Sequence, residues 1–388
     1  MLTAVDVDAI RDEFPALSTC IYFQHGGLSP MPRRAVEAIE RAARAMHERP
    51  PGGWADAFHH DVEALKAALG RLLGVDAGDI ALTRATGHGL SLLAMGLDWR
   101  AGDNIVSVRS EFPTNVFPWR ALEHRGVTLR VAEPVDGRVT AERLLALCDE
   151  RTRAIAVSFV HFWNGYRTDL AEFGAECRRS GIHLAVDGIQ GAGAVSVDLR
   201  STGVGLFAAG CYKWLQGPAG LGLCYVQPEL AERLQPPLIG AGTSADPGTA
   251  LEPTWSLASR AQRFEESSPS WLNVAGLLAA VGLLEEIGIH AVEERVLQLN
   301  ALAGRLLEEA GCELAPPWPR LPSESSGIIG FRHPAIAPEL LVERLRERGV
   351  HSRHVSNQWV RFSIHFNNTE AEVERAVQLV TELSPPHR

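Results

Sequence analysis

The sequence predicts an α/β fold in which a large domain holds a mostly parallel, seven-stranded sheet and a smaller α+β domain follows at the C-terminal end. Two observations carry this expectation. Short apolar runs alternate with amphipathic helical patterns from about residue 60 to 230, which is the mark of strands buried on both faces and joined by crossover helices. After Val226 the Pro- and Gly-rich stretch QPPLIGAGTSADPGT breaks that alternation and leads into a mixture of helices and strands.

Strands of the large sheet are expected at 80–83, 104–108, 128–131, 154–160, 183–186, 206–209 and 222–226. The helical segment AEFGAECRRSG closes on Gly181, a residue that accepts the left-handed conformation at a helix end. Val62, Leu65, Ala68, Leu69 and Leu72 mark the apolar stripe of an earlier helix, and Lys66 falls beside that stripe, on the solvent side. Beyond residue 270, VAGLLAAVGLLEEIGIHAVEERVLQLNALAGRLLEEAG reads as one long helical pattern. IIGFRH and VRFSIHF read as strands with the helix PELLVERLRERG between them. Thr369 and Glu372 have the capping-box spacing, which starts the last helix just after a strand at 362–366. Ligands of such a sheet bind at the carboxyl ends of its strands.

Charge and composition exclude several classes of partner. A net charge of -10 and a pI near 5.8 disfavour nucleic acid and anionic membrane surfaces, which require clustered Lys and Arg. The first residues, MLTAVDVDAIRDEFPAL, are acidic where a signal peptide is basic, and no apolar run reaches spanning length. A cytoplasmic protein is therefore expected. Cys20, Cys148, Cys177, Cys211, Cys224 and Cys312 lie far apart with no C-x-x-C pair, so neither a metal site nor a disulfide framework is expected.

The chain has two lysines, Lys66 and Lys213, and arginine supplies the rest of its positive charge. An amine forms an imine with an aldehyde, and a guanidinium does not. Lys213, in GCYKWLQGPAGLG, lies between an apolar strand and a glycine-rich turn, as a reactive lysine should. Its glycines precede a strand, whereas a loop that cradles nucleotide phosphates follows a strand and opens a helix. In LAVDGIQGAGAVSVDL an apolar strand ends in Asp187, with Gln190 three residues on. A carboxylate there is costly unless it meets a cation or performs a task.

Through VDGIQG and CYKWLQGPAGLG, and over almost the whole chain, the sequence resembles the class V aminotransferase family of fold-type I enzymes that use pyridoxal 5'-phosphate (PLP). That family includes cysteine desulfurases and isopenicillin N epimerase-like proteins. The resemblance implies that Lys213 holds PLP as a Schiff base. It also implies that Asp187 keeps the pyridine nitrogen protonated and that Gln190 meets the phenolic oxygen. The phosphate is expected at the helix start formed by Thr86, Gly87 and His88, where relatives carry two adjacent threonines and this chain has Gly87 as the second. Phe112 stands where relatives stack an aromatic or imidazole ring on the cofactor. His161, with Asn164 nearby, is expected at the cofactor edge, and Tyr212 beside the phosphate. Ser268 matches a residue that reaches the phosphate of the neighbouring subunit, which implies a homodimer with a shared site. Arg361 matches the arginine that grips the substrate carboxylate, and Arg353, His354 and His25 are further candidates for substrate recognition. On this resemblance, residues 1–25 join the small domain, 26–255 form the PLP-binding domain, and 256–388 form the linking helix and small C-terminal domain.

Transamination of a small amino acid or amino metabolite is the leading functional expectation. A lyase that eliminates a β or γ substituent, or an epimerase, would use the same residues. Cysteine desulfurases carry a nucleophilic cysteine on a loop shortly before the carboxylate-binding arginine; RGVHSRHVSNQWVRFS, from Arg348 to Ser363, is short and contains none. Persulfide formation on the protein is not expected.

Overall fold

The computed structural model describes residues 4–251 and 255–383. After the short β1 (Ile21–Tyr22), the chain lays down β2 (Ile80–Thr83), β3 (Asn104–Val108), β4 (Thr128–Ala132), β5 (Thr152–Ser158), β6 (His183–Asp187), β7 (Leu206–Gly210) and β8 (Gly222–Val226). These form one sheet in the order β2-β8-β7-β6-β5-β3-β4. The run from β7 to β4 is parallel throughout, and β8 is antiparallel to both of its neighbours. The large sheet is therefore mostly parallel, as the sequence predicts. The largest difference lies in β5, which ends at Ser158, not at residue 160. Beyond it the chain leaves the sheet, and Val160 makes only an isolated bridge to Arg167.

Alternate residues of the buried strands feed two separate apolar layers. Val106, Ile155, Val157, Leu184, Val186 and Phe207 join one. Ile105, Ala154, Ala156, Ala185 and Ala208 join the other, with Leu90 and Leu93 of the helix Thr86–Gly96. The small residues on this second face let the helix lie close to the sheet. A Cβ on Gly89 would come within 2.6 Å of the Ala208 Cβ. Close packing of this kind fixes the start of the helix against the carboxyl end of β7, where the Thr86 hydroxyl accepts a hydrogen bond of 2.9 Å from the Gly210 amide.

A second, antiparallel sheet in the order β12-β13-β10-β9 is built from β9 (Glu313–Leu314), β10 (Ile328–Arg332), β12 (Arg353–Val355) and β13 (Trp359–Ser363). Beside it, β11 (Val350–His351) pairs in parallel with β1. Phe331, Phe362, Leu341 and Val377 centre a separate apolar cluster beneath this sheet. The helix Glu370–Glu382 opens on the expected capping box, with the Thr369 hydroxyl accepting from the Glu372 amide at 3.1 Å. Its preceding strand ends at Ser363, three residues earlier than expected.

Two sequence expectations change. The long helical pattern after residue 270 is two helices, Trp271–Ile287 and Ile289–Glu309, bent by 80°. Between them Gly288 takes φ +85°, a conformation open to glycine and costly for other residues. Lys66 is not solvated. Its ammonium pairs at 2.8 Å with Glu265, both side chains being largely buried. The other oxygen of Glu265 accepts from the Leu82 amide, so the pair ties the 260s segment to the edge of the large sheet. Among the described residues no single helix is long and apolar enough to cross a membrane.

Candidate active site

The carboxyl ends of β2, β3, β6 and β7 and the hairpin β12–β13 surround a cavity of about 480 Å³, a size suited to a cofactor with a small substrate. Its wall includes Thr86, Gly87, Phe112, Asp187, Gln190, Tyr212, Lys213, Arg353, His354 and Arg361, which lie far apart along the chain.

Lys213 is held by its neighbours in sequence. The Tyr212 carbonyl accepts from the Ser29 amide, the Lys213 carbonyl from the Gln216 amide, and the Cys211 carbonyl from the Gly217 amide. This closed turn, with Gln216 at φ +55°, leaves the lysine stem to point from a rigid base. Trp214 donates its indole N–H to Gln190 at 2.9 Å, and Gln190 in turn donates to the Gly26 carbonyl at 3.0 Å. Burial lowers the Lys213 ammonium to about 8; Asp187 opposes that shift, and Arg361 and Arg353 add to it. A lysine so placed is neutral, and hence nucleophilic, far more often than an exposed one at pH 7. Its Nζ lies 5.7 Å from the centre of the Phe112 ring, which packs edge-on against Phe162.

Asp187 is buried at the end of β6. Burial raises its carboxyl to about 6, while the Ile189 amide, donating at 3.0 Å, and Lys213 pull it down. Among the described residues it is the only carboxylate in the cavity wall. Across the cavity the first amides of the helix Thr86–Gly96 have no intrahelical acceptor and offer donors for an anion. A Cβ added to Gly87 would meet only the Thr114 methyl, at 3.3 Å, so this corner is open. Arg361 is fully buried. It donates through Nη1 to the Phe162 carbonyl at 2.8 Å, and its Nε has no partner. Burial, with Arg353 adding to it, lowers its guanidinium to about 9.

Five predicted residues, His25, His88, His161, Asn164 and Ser268, lie outside the cavity wall. His25 is buried behind it, bonded through Nδ1 to the Ser29 hydroxyl at 2.8 Å and packed edge-on to Tyr22 and His365; its neighbours Gly26 and Gly27 line the cavity instead. His88 accepts from the Arg84 amide through Nδ1 and is half-buried, with its Nε2 buried and unpartnered. His161 is buried beside Tyr166, and neither ring nitrogen has a partner. Ser268 is exposed. Asn164 spends its amide on the carbonyls of Gly137 and Pro316 and accepts from the Tyr166 amide, so it anchors a turn.

Sequence reasoning missed Glu111. Its buried carboxyl accepts from the Ser158 amide at 2.7 Å, from the Ser158 hydroxyl and from Asn115 at 3.1 Å. Ser158 is the cross-strand neighbour of Asp187. Burial raises Glu111 to about 7, and the nearby Asp187 adds to the rise. An acid directly before Phe112, just after an apolar strand, was the available signal.

A model of the class V aminotransferases matches residues 21–376. The chain belongs to this family. A probable cysteine desulfurase of Pyrococcus abyssi (strain GE5 / Orsay) is 27% identical to this class V enzyme over 399 residues, covering 96% of each. A structure of a C-DES variant with glycine covalently linked to the PLP cofactor matches with a TM-score of 0.90 at 25% identity, over 96% of this chain and 99% of that one. A complex of the cystine C-S lyase C-DES with its reaction product, cysteine persulfide, matches with a TM-score of 0.88 at 26% identity, over 96% and 100%. The class V enzyme has a fold-type I architecture and depends on PLP. The site fits that cofactor, with a partly neutral lysine, a buried carboxylate across from it and an open helix start for the phosphate.

Proposed function

We propose that this enzyme is a PLP-dependent C–S lyase, which eliminates a sulfur substituent from the β carbon of an amino acid and releases the sulfur to solution. The observation that carries the reading is the hairpin β12–β13. Val355 pairs with Trp359 across a tight turn in which Ser356 and Asn357 take positive φ, and this turn lines the cavity. Desulfurase-like relatives require a thiol on this stretch, and here there is no cysteine and no long loop to carry one. None of the six cysteines lines the cavity, and burial pushes the nearby Cys211 thiol far above the ordinary range. The matches to a C-S lyase and to desulfurases support carbon–sulfur cleavage over the transamination that the sequence alone favoured.

When bound, PLP supplies an electron sink for the charge that develops at the substrate α carbon. In this reading Asp187 and Gln190 would hold the cofactor ring, Asp187 by stabilising positive charge on it, and the Phe112 ring covers one side of the cavity. Arg361 pairs with the α-carboxylate through its planar fork, which sets which α-carbon bond faces Lys213. The lysine amine takes the α proton. The C–S bond then breaks with its electron pair on sulfur, which leaves as a thiol or persulfide, and water completes the conversion to pyruvate and ammonium. The reading also takes the enzyme to be a cytoplasmic homodimer, divided at residues 25 and 255. The exposure of Ser268, outside the cavity of its own chain, suits a contribution to a neighbouring copy.

The test is to incubate the holoenzyme with L-cystine and with S-alkyl-L-cysteines and to measure pyruvate, ammonium, thiol and pyridoxamine phosphate. Stoichiometric pyruvate is expected, with persulfide from L-cystine and thiol from the S-alkyl-L-cysteines, and Lys213→Ala should show no activity and no borohydride-reducible bond. Accumulation of pyridoxamine phosphate with a keto acid, in place of pyruvate and thiol, would refute elimination.

A further inference from the structure

Glu111 lies in the turn that follows β3, and the next residue is Phe112, whose ring covers one side of the cavity. Its buried carboxyl meets donors on both oxygens: the Ser158 amide at 2.7 Å on one, and the Ser158 hydroxyl with the Asn115 side-chain amide, at 3.1 Å, on the other. Asn115 is itself committed, because its own oxygen accepts from the Trp119 indole. A glutamine that kept the Ser158 amide would turn its NH2 towards that of Asn115. The surroundings therefore suit a carboxyl.

Ser158 is the last residue of β5 and the register partner of Asp187 on β6. Paired residues of neighbouring strands project from the same face of the sheet, so the Ser158 hydroxyl leads from Glu111 to the side on which Asp187 stands. The Phe159 amide donates to the Asp187 carbonyl at 2.9 Å and keeps the two strands paired up to that point. Among the described residues no cation pairs with Glu111, and Asp187 is the charged group that acts on it; Lys213 acts on Asp187, and Arg361 and Arg353 act on Lys213. Two buried carboxyls one serine apart repel when both are ionised, and burial with this repulsion holds Glu111 up at about 7.

We infer that Glu111 is a positioning residue for the ring pocket: acting through Ser158 and Asp187, its charge sets how firmly the site holds a proton on the linkage between Lys213 and the cofactor. When Glu111 is ionised, the added negative charge stabilises positive charge in the cavity. When it is protonated, Asp187 supplies that stabilisation alone. This role requires that Lys213 and Asp187 hold PLP, whichever substrate bond is cleaved.

The experiment is a pH titration of the cofactor absorption band in the substrate-free holoenzyme, for the wild type, Glu111→Gln and Glu111→Asp. The first variant keeps the size and loses the charge, and the second keeps the charge and loses reach. In Glu111→Gln the midpoint is expected to fall by about half a pH unit or more, the coupling of two charges within one buried site. In Glu111→Asp it should move less than half as far. An unchanged midpoint in Glu111→Gln, or a shift in Glu111→Asp as large as that in Glu111→Gln, would overturn the role of charge. Infrared titration of the wild-type and Glu111→Gln holoenzymes gives a second reading that needs no aspartate variant. A protonated-carboxyl band that the wild type loses as pH rises, and that Glu111→Gln lacks, is expected; identical spectra would overturn the proposal. A Lys213→Ala protein that still formed a borohydride-reducible bond would instead remove the assignment of Lys213, so the two failures are distinct.

Discussion

Replacing Glu111 with Gln removes a titratable group from a buried position without changing its size, and the structure gives the consequence a sign and a magnitude. In the folded chain burial raises this carboxyl from 4.5 to about 7. Between those values the folded protein keeps a proton that the unfolded chain has released. The stabilisation is therefore fully present below about pH 4.5, is lost as pH rises towards 7, and changes no further above it. At about 1.4 kcal/mol for each pH unit, the group contributes a loss on the order of 3 kcal/mol across that window. Chemical unfolding of the cofactor-free wild type and of Glu111→Gln, measured from pH 4.5 to 7.5, isolates the effect. Asp187, raised to about 6, titrates in both proteins, so the difference between them belongs mainly to Glu111. The variant is expected to start less stable at pH 4.5 and to close that gap by about 3 kcal/mol at pH 7.5. Parallel pH profiles would refute the reasoning, because they would mean that Glu111 is already ionised in the folded state at pH 4.5.

Three further outcomes follow from the geometry. In Gly26→Ala the new methyl would approach the Ser363 hydroxyl to 2.7 Å, with Gln190 at 3.1 Å and Arg361 at 3.2 Å; KM for the amino acid should rise roughly tenfold or more, and an unchanged KM would count against this packing. Gly87→Ser adds a hydroxyl at an open helix start and should tighten PLP binding about fivefold, the value of one hydrogen bond, as checked by fluorescence titration. Arg361→Lys keeps the charge but loses the planar fork, and kcat/KM should fall by about a hundredfold, with the cofactor spectrum unchanged.

Local sequence made most of the large sheet legible. Buried strands of five or so apolar residues, separated by helical patterns and glycine stops, have few alternative arrangements, and the β3, β6, β7 and β8 segments lie within a residue of expectation. The hairpin β12–β13 was less visible. Its strands are short, and β12 carries Arg353 and His354 where a strand signal would need apolar residues. The break at Gly288 was hidden because helical periodicity continues on both sides of it, and glycine within a helix is tolerated at modest cost.

The sequence by itself determined the chemistry available: one lysine beside a glycine turn, an acid and a glutamine at a strand end, an arginine on a late strand, and no cysteine near it. These are choices of residue type, and the imine-forming amine and the bidentate guanidinium have no substitutes. Tertiary structure decided which of the candidates share a space. It placed His25, His88, His161, Asn164 and Ser268 outside the cavity wall, brought Gly26 into that wall, and set Arg353 opposite Arg361. Those outcomes depend on strand register, on crossover paths and on which side of a turn a chain leaves. They arise from long-range packing, in which residues hundreds of positions apart become neighbours, and no local pattern records them.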